Sequence, residues 1–236
     1  MGVLVIFMAV VFQVSRKALN FVVVRLWARP LLRFSGIEVD VRGLERIQDR
    51  HDGFLILFNH SSLMDIPILC SSIPRIFSFG AKIELFSIPI FGRAMEKVGA
   101  LPIDRNNRNK VMKIYNDAIA RVKKGESFAL APEGTRQQEP IIGRFKRGPF
   151  EFALNAQMDL VPVVLAGAFH VLPRSSVWIN AGQWKRKVIV EILNPVSTKG
   201  LGPEQIEALQ ETVRASMEEA FKRLMLERES FSPTPL

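Results

Sequence analysis

Residues 54–65 read FLILFNHSSLMD. An apolar strand over 54–59 runs straight into His60, and Ser61-Ser62 stand where a helix N-cap is preferred. Working outward, short apolar runs alternate with helical patterns. Further strands are expected at 37–43 (IEVDVRG), 75–80 (RIFSFG), 100–104 (ALPID), 127–132 (SFALAP), 160–169 (LVPVVLAGAF) and 187–193 (KVIVEIL). Over 107–124, Val111, Tyr115, Ala118, Ile119 and Val122 share one helical face. Over 203–228, Ile206, Leu209, Val213, Met217, Ala220 and Leu224 do the same, with Pro203 placed to start the helix. Strands alternating with helices predict one layered α/β domain, a mixed central sheet flanked by helices. No repeat or linker divides it. The expected organisation is an N-terminal segment over 1–34, the domain over 35–230 and a frayed tail over 231–236.

Composition narrows the class. Apolar residues make up 48% of the 236 and charged residues 23%, which excludes a disordered chain. Cys70 is the only cysteine, so an intramolecular disulfide and a cysteine-rich zinc site are both excluded. Lys and Arg number 32 against 23 Asp and Glu, a net charge of +9. A mean hydropathy of +0.14 beside a sequence pI near 10.0 points to anionic lipid at least as much as to nucleic acid.

Residues 1–34 carry five of those positive charges (Arg16, Lys17, Arg25, Arg29, Arg33) and no acid. The opening 15 residues are uncharged. As a helix they would reach roughly 22 Å, short of the ~30 Å hydrocarbon core. A signal peptide fits poorly, because there is no basic leader and no small-x-small cleavage site. Arg25, Arg29 and Arg33 recur every four residues among Phe21, Val22, Leu26, Trp27 and Leu31. That is the pattern of a basic amphipathic helix at a headgroup boundary. Pro30 is expected to kink it or end its first part. Two short helices are predicted, one dipping into a leaflet and one lying along it. The alternative is a helix packed on the protein's own core with its arginines in water.

Four clusters could carry chemistry. His60 ends a strand, and Asp65 lies five positions on. On a regular helix the two would not meet, but they can if His60 sits in the loop and Asp65 in the first turn after it. An Asp there would accept the Nδ1–H and leave Nε2 free as a general base. Second is PEGTR, 132–136: Gly134 permits close backbone approach, Arg136 can grip a phosphate, and Glu133 could orient that arginine or a substrate hydroxyl. Third is Arg105, at the end of the strand LPID. Fourth is GRFKRG, 143–148, with Arg144, Lys146 and Arg147. Cations at successive strand ends could converge on an anion. Taken singly, each has an ordinary reading: a structural histidine, a surface turn, a solvated basic face.

Taken together, NHSSLMD, GALPIDR, APEGTR with GRFKRG, and LVPVVLAG occur in this order, each at a strand end. The set resembles the four motifs of the glycerolipid acyltransferase family, which includes the 1-acyl-glycerol-3-phosphate acyltransferases. The resemblance covers about residues 37–195. Two departures stand out. Phe145-Lys146-Arg147-Gly148-Pro149 replaces the commoner Phe-Lys-Lys-Gly-Ala, and Leu165-Ala166-Gly167 stands where the fourth motif usually has a second proline.

The resemblance implies transfer of an acyl chain from acyl-CoA or acyl carrier protein to the sn-2 hydroxyl of lysophosphatidic acid, giving phosphatidic acid. It implies His60 as base, Asp65 as its orienting partner, and Arg105 and Arg136 on the acceptor's phosphate. Lys146 would reach the same pocket, and Glu133, Gly134 and Thr135 would form its loop. It implies no cofactor, no metal and no nucleic acid, and no acyl-enzyme on Cys70. It also implies a monotopic protein on the cytoplasmic face of a bacterial inner membrane. Nothing in the sequence bears on oligomeric state. Other lysolipids, including lyso-ornithine lipid, are alternative acceptors, and a non-catalytic lipid-binding protein is the alternative class. A serine hydrolase is disfavoured: the nearest match to GxSxG, 125–129, lacks the last glycine and enters a strand instead of leaving one.

Overall fold

The computed structural model describes residues 22–231 except 177 and 180–184. Seven strands form one sheet: β1 (Ile37–Arg42), β2 (Phe54–Phe58), β3 (Phe77–Lys82), β4 (Leu101–Ile103), β5 (Ser127–Leu130), β6 (Asp159–Ala166) and β7 (Arg186–Ile192). The helices are α1 (Arg29–Phe34), α2 (Asp65–Ser72), α3 (Phe91–Lys97), α4 (Arg108–Val122), α5 (Gly148–Ala156), α6 (Ala168–Val171) and α7 (Ile206–Phe231).

The apolar run of β2 explains the layering. Leu55 and Leu57 enter one core, while Phe54, Ile56 and Phe58 enter the other. A strand buried on both faces belongs at the middle of a sheet covered on both sides. The spatial order is β1-β7-β6-β2-β5-β3-β4, with β2 at the centre. Helices α4, α5 and α7 cover the face of Leu55 and Leu57. Helices α1, α2 and α6 cover the face of Phe54 and Ile56. β2 through β6 run parallel, β7 is antiparallel to β6, and β1 is parallel to β7. The carboxyl ends of five parallel strands therefore share one edge, the place where open α/β sheets hold ligands.

Two details of β6 follow from its sequence. A strand residue points its N–H and C=O the same way. The Pro162 carbonyl accepts the Leu193 N–H at 2.8 Å, so the missing proline N–H faces the point where β7 has ended. The strand also stops at Ala166 rather than continuing to 169. Gly167 has φ +104, and a Cβ there would lie 2.9 Å from the Lys187 carbonyl oxygen. Glycine serves that turn, and proline, locked near φ −65°, could not.

Pro30 does not end the N-terminal helix. Val23–Ala28 is π-helical and runs directly into α1, with the Arg29 N–H bonded to the Val24 carbonyl. Proline lacks the N–H for an α-helical bond and its ring would meet the carbonyl four residues back, and the widened turn carries the chain past it. Ala28 and Leu32 are buried, while Arg25, Arg29 and Arg33 are exposed. The first of the two expected helices, with Arg16 and Lys17, lies outside the described residues. Among the described residues no helix is long and apolar enough to cross a membrane.

Candidate active site

β2 ends at Phe58, and the next residue keeps the sheet together. Asn59 is buried; its side-chain amide donates to the Leu165 carbonyl at 3.0 Å and its oxygen accepts the Leu165 N–H at 2.8 Å. The side chain thus substitutes for ladder bonds and lets the backbone turn away. His60 then sits in the loop, and Asp65 opens α2. The His60 Nδ1 lies 2.8 Å from the Asp65 Oδ2. Asp65 is fully buried, whereas the His60 side chain retains 16% exposure.

The same Oδ2 accepts the Ser61 N–H at 2.8 Å and the Ser62 N–H at 2.9 Å. Asp65 therefore fixes the histidine loop as well as the ring. Ser61-Ser62 do not cap the helix as the sequence suggests. Residue Met64 occupies the cap position, the Ser62 hydroxyl accepts the Met64 N–H at 3.0 Å, and it donates to the Leu172 carbonyl at 2.8 Å.

The loop after β5 is laced to the histidine. The Gln137 N–H donates to the His60 carbonyl at 2.8 Å. Glu133 is buried, and its carboxylate accepts the His60 and Gly143 N–H groups, each at 3.1 Å. Burial pushes its pKa up to about 7 against the pull of those donors and the Gln137 side chain. Glu133 therefore braces two backbone segments and makes no hydrogen bond to Arg136 among the described residues, in contrast to the expected arginine-orienting role.

Gly134 has φ +74, and the stem of Lys146 packs 3.4 Å from where a Cβ would stand. The half-buried Thr135 makes no hydrogen bond through its hydroxyl among the described residues. Nη1 of Arg136 is buried without a hydrogen-bond partner among the described residues.

Arg105 follows β4 on the same edge. Partial burial, with the nearby charges of Arg174 and Arg136, holds it below the usual arginine range against the opposing pull of Glu84. Arg144 and Lys146 are exposed. Arg147 does not join the other cations: it bonds Glu151 at 2.9 Å and Glu207 at 3.3 Å, tying α5 to α7. Cys70, on α2, has its thiol pushed up to about 12 by burial, so it holds no reactive thiolate. His51 precedes β2 at the opposite edge of the sheet. Among the described residues no group of His, Cys, Asp and Glu could hold a metal.

Sequence reasoning missed three contributors. Asn59 and the bracing role of Glu133 depend on contacts between loops far apart in sequence. Arg174 lies on a short segment with no motif, yet its Nη1 donates to the Arg136 carbonyl at 2.8 Å.

A buried aspartate holding a part-exposed histidine, on the same sheet edge as arginines from neighbouring loops, is chemically able to accept a proton and to hold an anion. The acyltransferase family model matches residues 38–166, more than half of the chain, and the chain belongs to that family. It is 30% identical over 165 residues, 70% of this chain, to 1-acyl-sn-glycerol-3-phosphate acyltransferase BAT2 of the Brassica napus chloroplast. It spans about half of that relative's length, 47%. It is 28% identical to the human 1-acyl-sn-glycerol-3-phosphate acyltransferase alpha, over 89% of this chain and 73% of the relative. The crystal structure of the 1-acyl-sn-glycerophosphate (LPA) acyltransferase PlsC from Thermotoga maritima is similar, with a TM-score of 0.72 and 25% identity. That likeness covers 93% of this chain and 86% of the other.

Proposed function

We propose that the protein acylates lysophosphatidic acid at its sn-2 hydroxyl, giving phosphatidic acid, with an acyl thioester of CoA or acyl carrier protein as donor. The observation that carries this reading is the His60–Asp65 pair on one sheet edge with Arg105 and Arg136. In this mechanism Asp65 accepts the Nδ1–H of His60 and stabilises the charge that forms on the ring. Nε2 takes the proton of the acceptor hydroxyl. The oxygen attacks the thioester carbonyl, a C–O bond forms and the C–S bond breaks. The thiolate leaves and takes the proton from His60. Arg105 and Arg136 hold the acceptor's phosphate, which fixes the hydroxyl over the base. The names of the relatives support the acceptor.

The same reading places the protein on a membrane surface. Of the eight large apolar side chains exposed among the described residues, six lie on segments at the site edge: Phe34, Leu63, Ile88, Ile90, Ile141 and Trp178. An apolar rim around a site for a lipid suits a bilayer surface. Arg25, Arg29 and Arg33 add charge for an anionic leaflet, at about 1 kcal/mol each when close to it.

The test is product analysis. The full chain in mixed micelles, given an acyl-CoA and lysophosphatidic acid, should release free thiol and phosphatidic acid in equal amounts, with the new chain at sn-2. Thiol release without phosphatidic acid would contradict the reading.

A further inference from the structure

We infer that Arg174 is a third arm of the acceptor's anion site, and that it selects a phosphate monoester over a diester. This rests on the acceptor reading above and goes beyond it by assigning a residue outside the four motifs and a discrimination.

The backbone around Arg174 is fixed to the catalytic loop. The Leu172 carbonyl accepts the Ser62 hydroxyl at 2.8 Å, and Pro173 forms a β-bridge with Ser62, two residues from His60. The Arg174 side chain then reaches across the end of β2 to the loop after β5, where its Nη1 donates to the Arg136 carbonyl at 2.8 Å. Arg105, Arg136 and Arg174 thus arrive from the ends of β4, β5 and β6, around the carboxyl end of the central strand that carries His60. None of the three is in an ion pair among the described residues. Nη1 of Arg136 is buried and unpartnered among the described residues.

Three guanidiniums gathered outside any ion pair repel one another, as Arg174 and Arg136 do Arg105 against the attraction of Glu84, and that repulsion is relieved by an anion between them. A phosphate monoester carries up to two negative charges at neutral pH and exposes three oxygens. A phosphodiester carries one charge and offers two free oxygens. The third arginine therefore matters most for the monoester.

The experiment measures KM and kcat of wild type, Arg174→Ala, Arg174→Gln and Arg174→Lys. Acceptors are lysophosphatidic acid and lysophosphatidylglycerol, in uncharged detergent micelles so that surface charge plays no part. Circular dichroism checks folding, and Arg174→Gln serves if Arg174→Ala misfolds. The expected result is a rise of about tenfold in KM for lysophosphatidic acid in the Ala and Gln variants, partly restored in Arg174→Lys. KM for the diester acceptor should change by no more than about threefold. An unchanged KM for lysophosphatidic acid overturns the inference alone, and so does an equal rise for both acceptors. Failure of wild type to acylate lysophosphatidic acid overturns the acceptor reading, and this inference with it.

Discussion

The two edges of the sheet treat their arginines differently. At the edge where β2, β5 and β6 begin, every arginine has a protein partner. Arg50 bonds Asp52 at 2.8 Å and Asp159 at 2.6 Å, Arg121 bonds Glu126 and Ser78, and Arg75 donates to backbone carbonyls and stands 4.8 Å over the Phe54 ring. At the carboxyl edge, Arg105, Arg136 and Arg174 form no ion pair among the described residues, although Glu84 attracts Arg105 from a distance, and the buried acids Asp65 and Glu133 hold backbone N–H groups and His60 instead. The first edge ties its arginines to protein groups. The other also pairs some cations, Arg108 and Arg147 with Glu151 among them, but leaves these three outside any ion pair, where they are open to an anion.

Mutations at the two edges should therefore fail in different ways. After loss of His60 itself, the largest effect is expected for Asp65→Asn. It keeps size but loses the charge that stabilises imidazolium, so kcat should fall at least about 100-fold with KM for the acceptor within about threefold. Steady-state kinetics checks this, and an unaltered kcat would remove Asp65 from the mechanism.

Glu133→Gln tests the buried acid through pH. The folded pKa of Glu133 lies near 7, above the value of an unfolded glutamate. The native state therefore binds more protons than the unfolded chain between about pH 4.5 and 7, and wild-type stability falls as pH rises through that window. Glutamine cannot ionise. The stability of Glu133→Gln relative to wild type should thus rise from pH 4.5 to 8, by up to about 3 kcal/mol. Urea unfolding across that range measures it, and a flat difference would mean that the carboxylate is not raised.

Paired truncations probe the comparison itself. Arg136→Ala should raise acceptor KM by about tenfold or more with unfolding little changed, because no protein carboxylate is orphaned. Arg121→Ala should leave KM alone and cost about 2 kcal/mol of stability, because it strips Glu126 of its partner in a part-buried site. The reverse pattern would erase the distinction between the edges. The smallest effect per residue belongs to α1 and the turn before it. Replacing Arg25, Arg29 and Arg33 by Gln should weaken binding to anionic vesicles by about 1 kcal/mol each, measured by co-sedimentation, with unfolding unchanged.

Much of this was legible in the sequence for a physical reason. The strands are apolar runs closed by turn residues, and each of the seven expected runs overlaps an observed strand, with ends shifted by up to three residues. Helices α4 and α7 showed a clear stripe. Helix α5 did not, because Pro149, Phe150, Phe152, Ala153 and Leu154 are all buried and leave no polar face to set a period. His60 and Asp65 could be paired in advance because a strand end fixes one and the first helical turn the other. Arg174 could not, since an isolated arginine in a loop acquires meaning only when the chain places it beside Arg136. The N-cap assigned to Ser61-Ser62 failed because Asp65 captures their N–H groups and moves the helix start downstream.

The central claim is that His60 is the base for acyl transfer to lysophosphatidic acid. Its most direct test is labelled acyl transfer from acyl-CoA by wild type and His60→Ala in parallel, with both proteins shown to be folded. Labelled phosphatidic acid is expected from wild type, with a fall of at least about 1,000-fold in His60→Ala. Comparable product from both would contradict that claim.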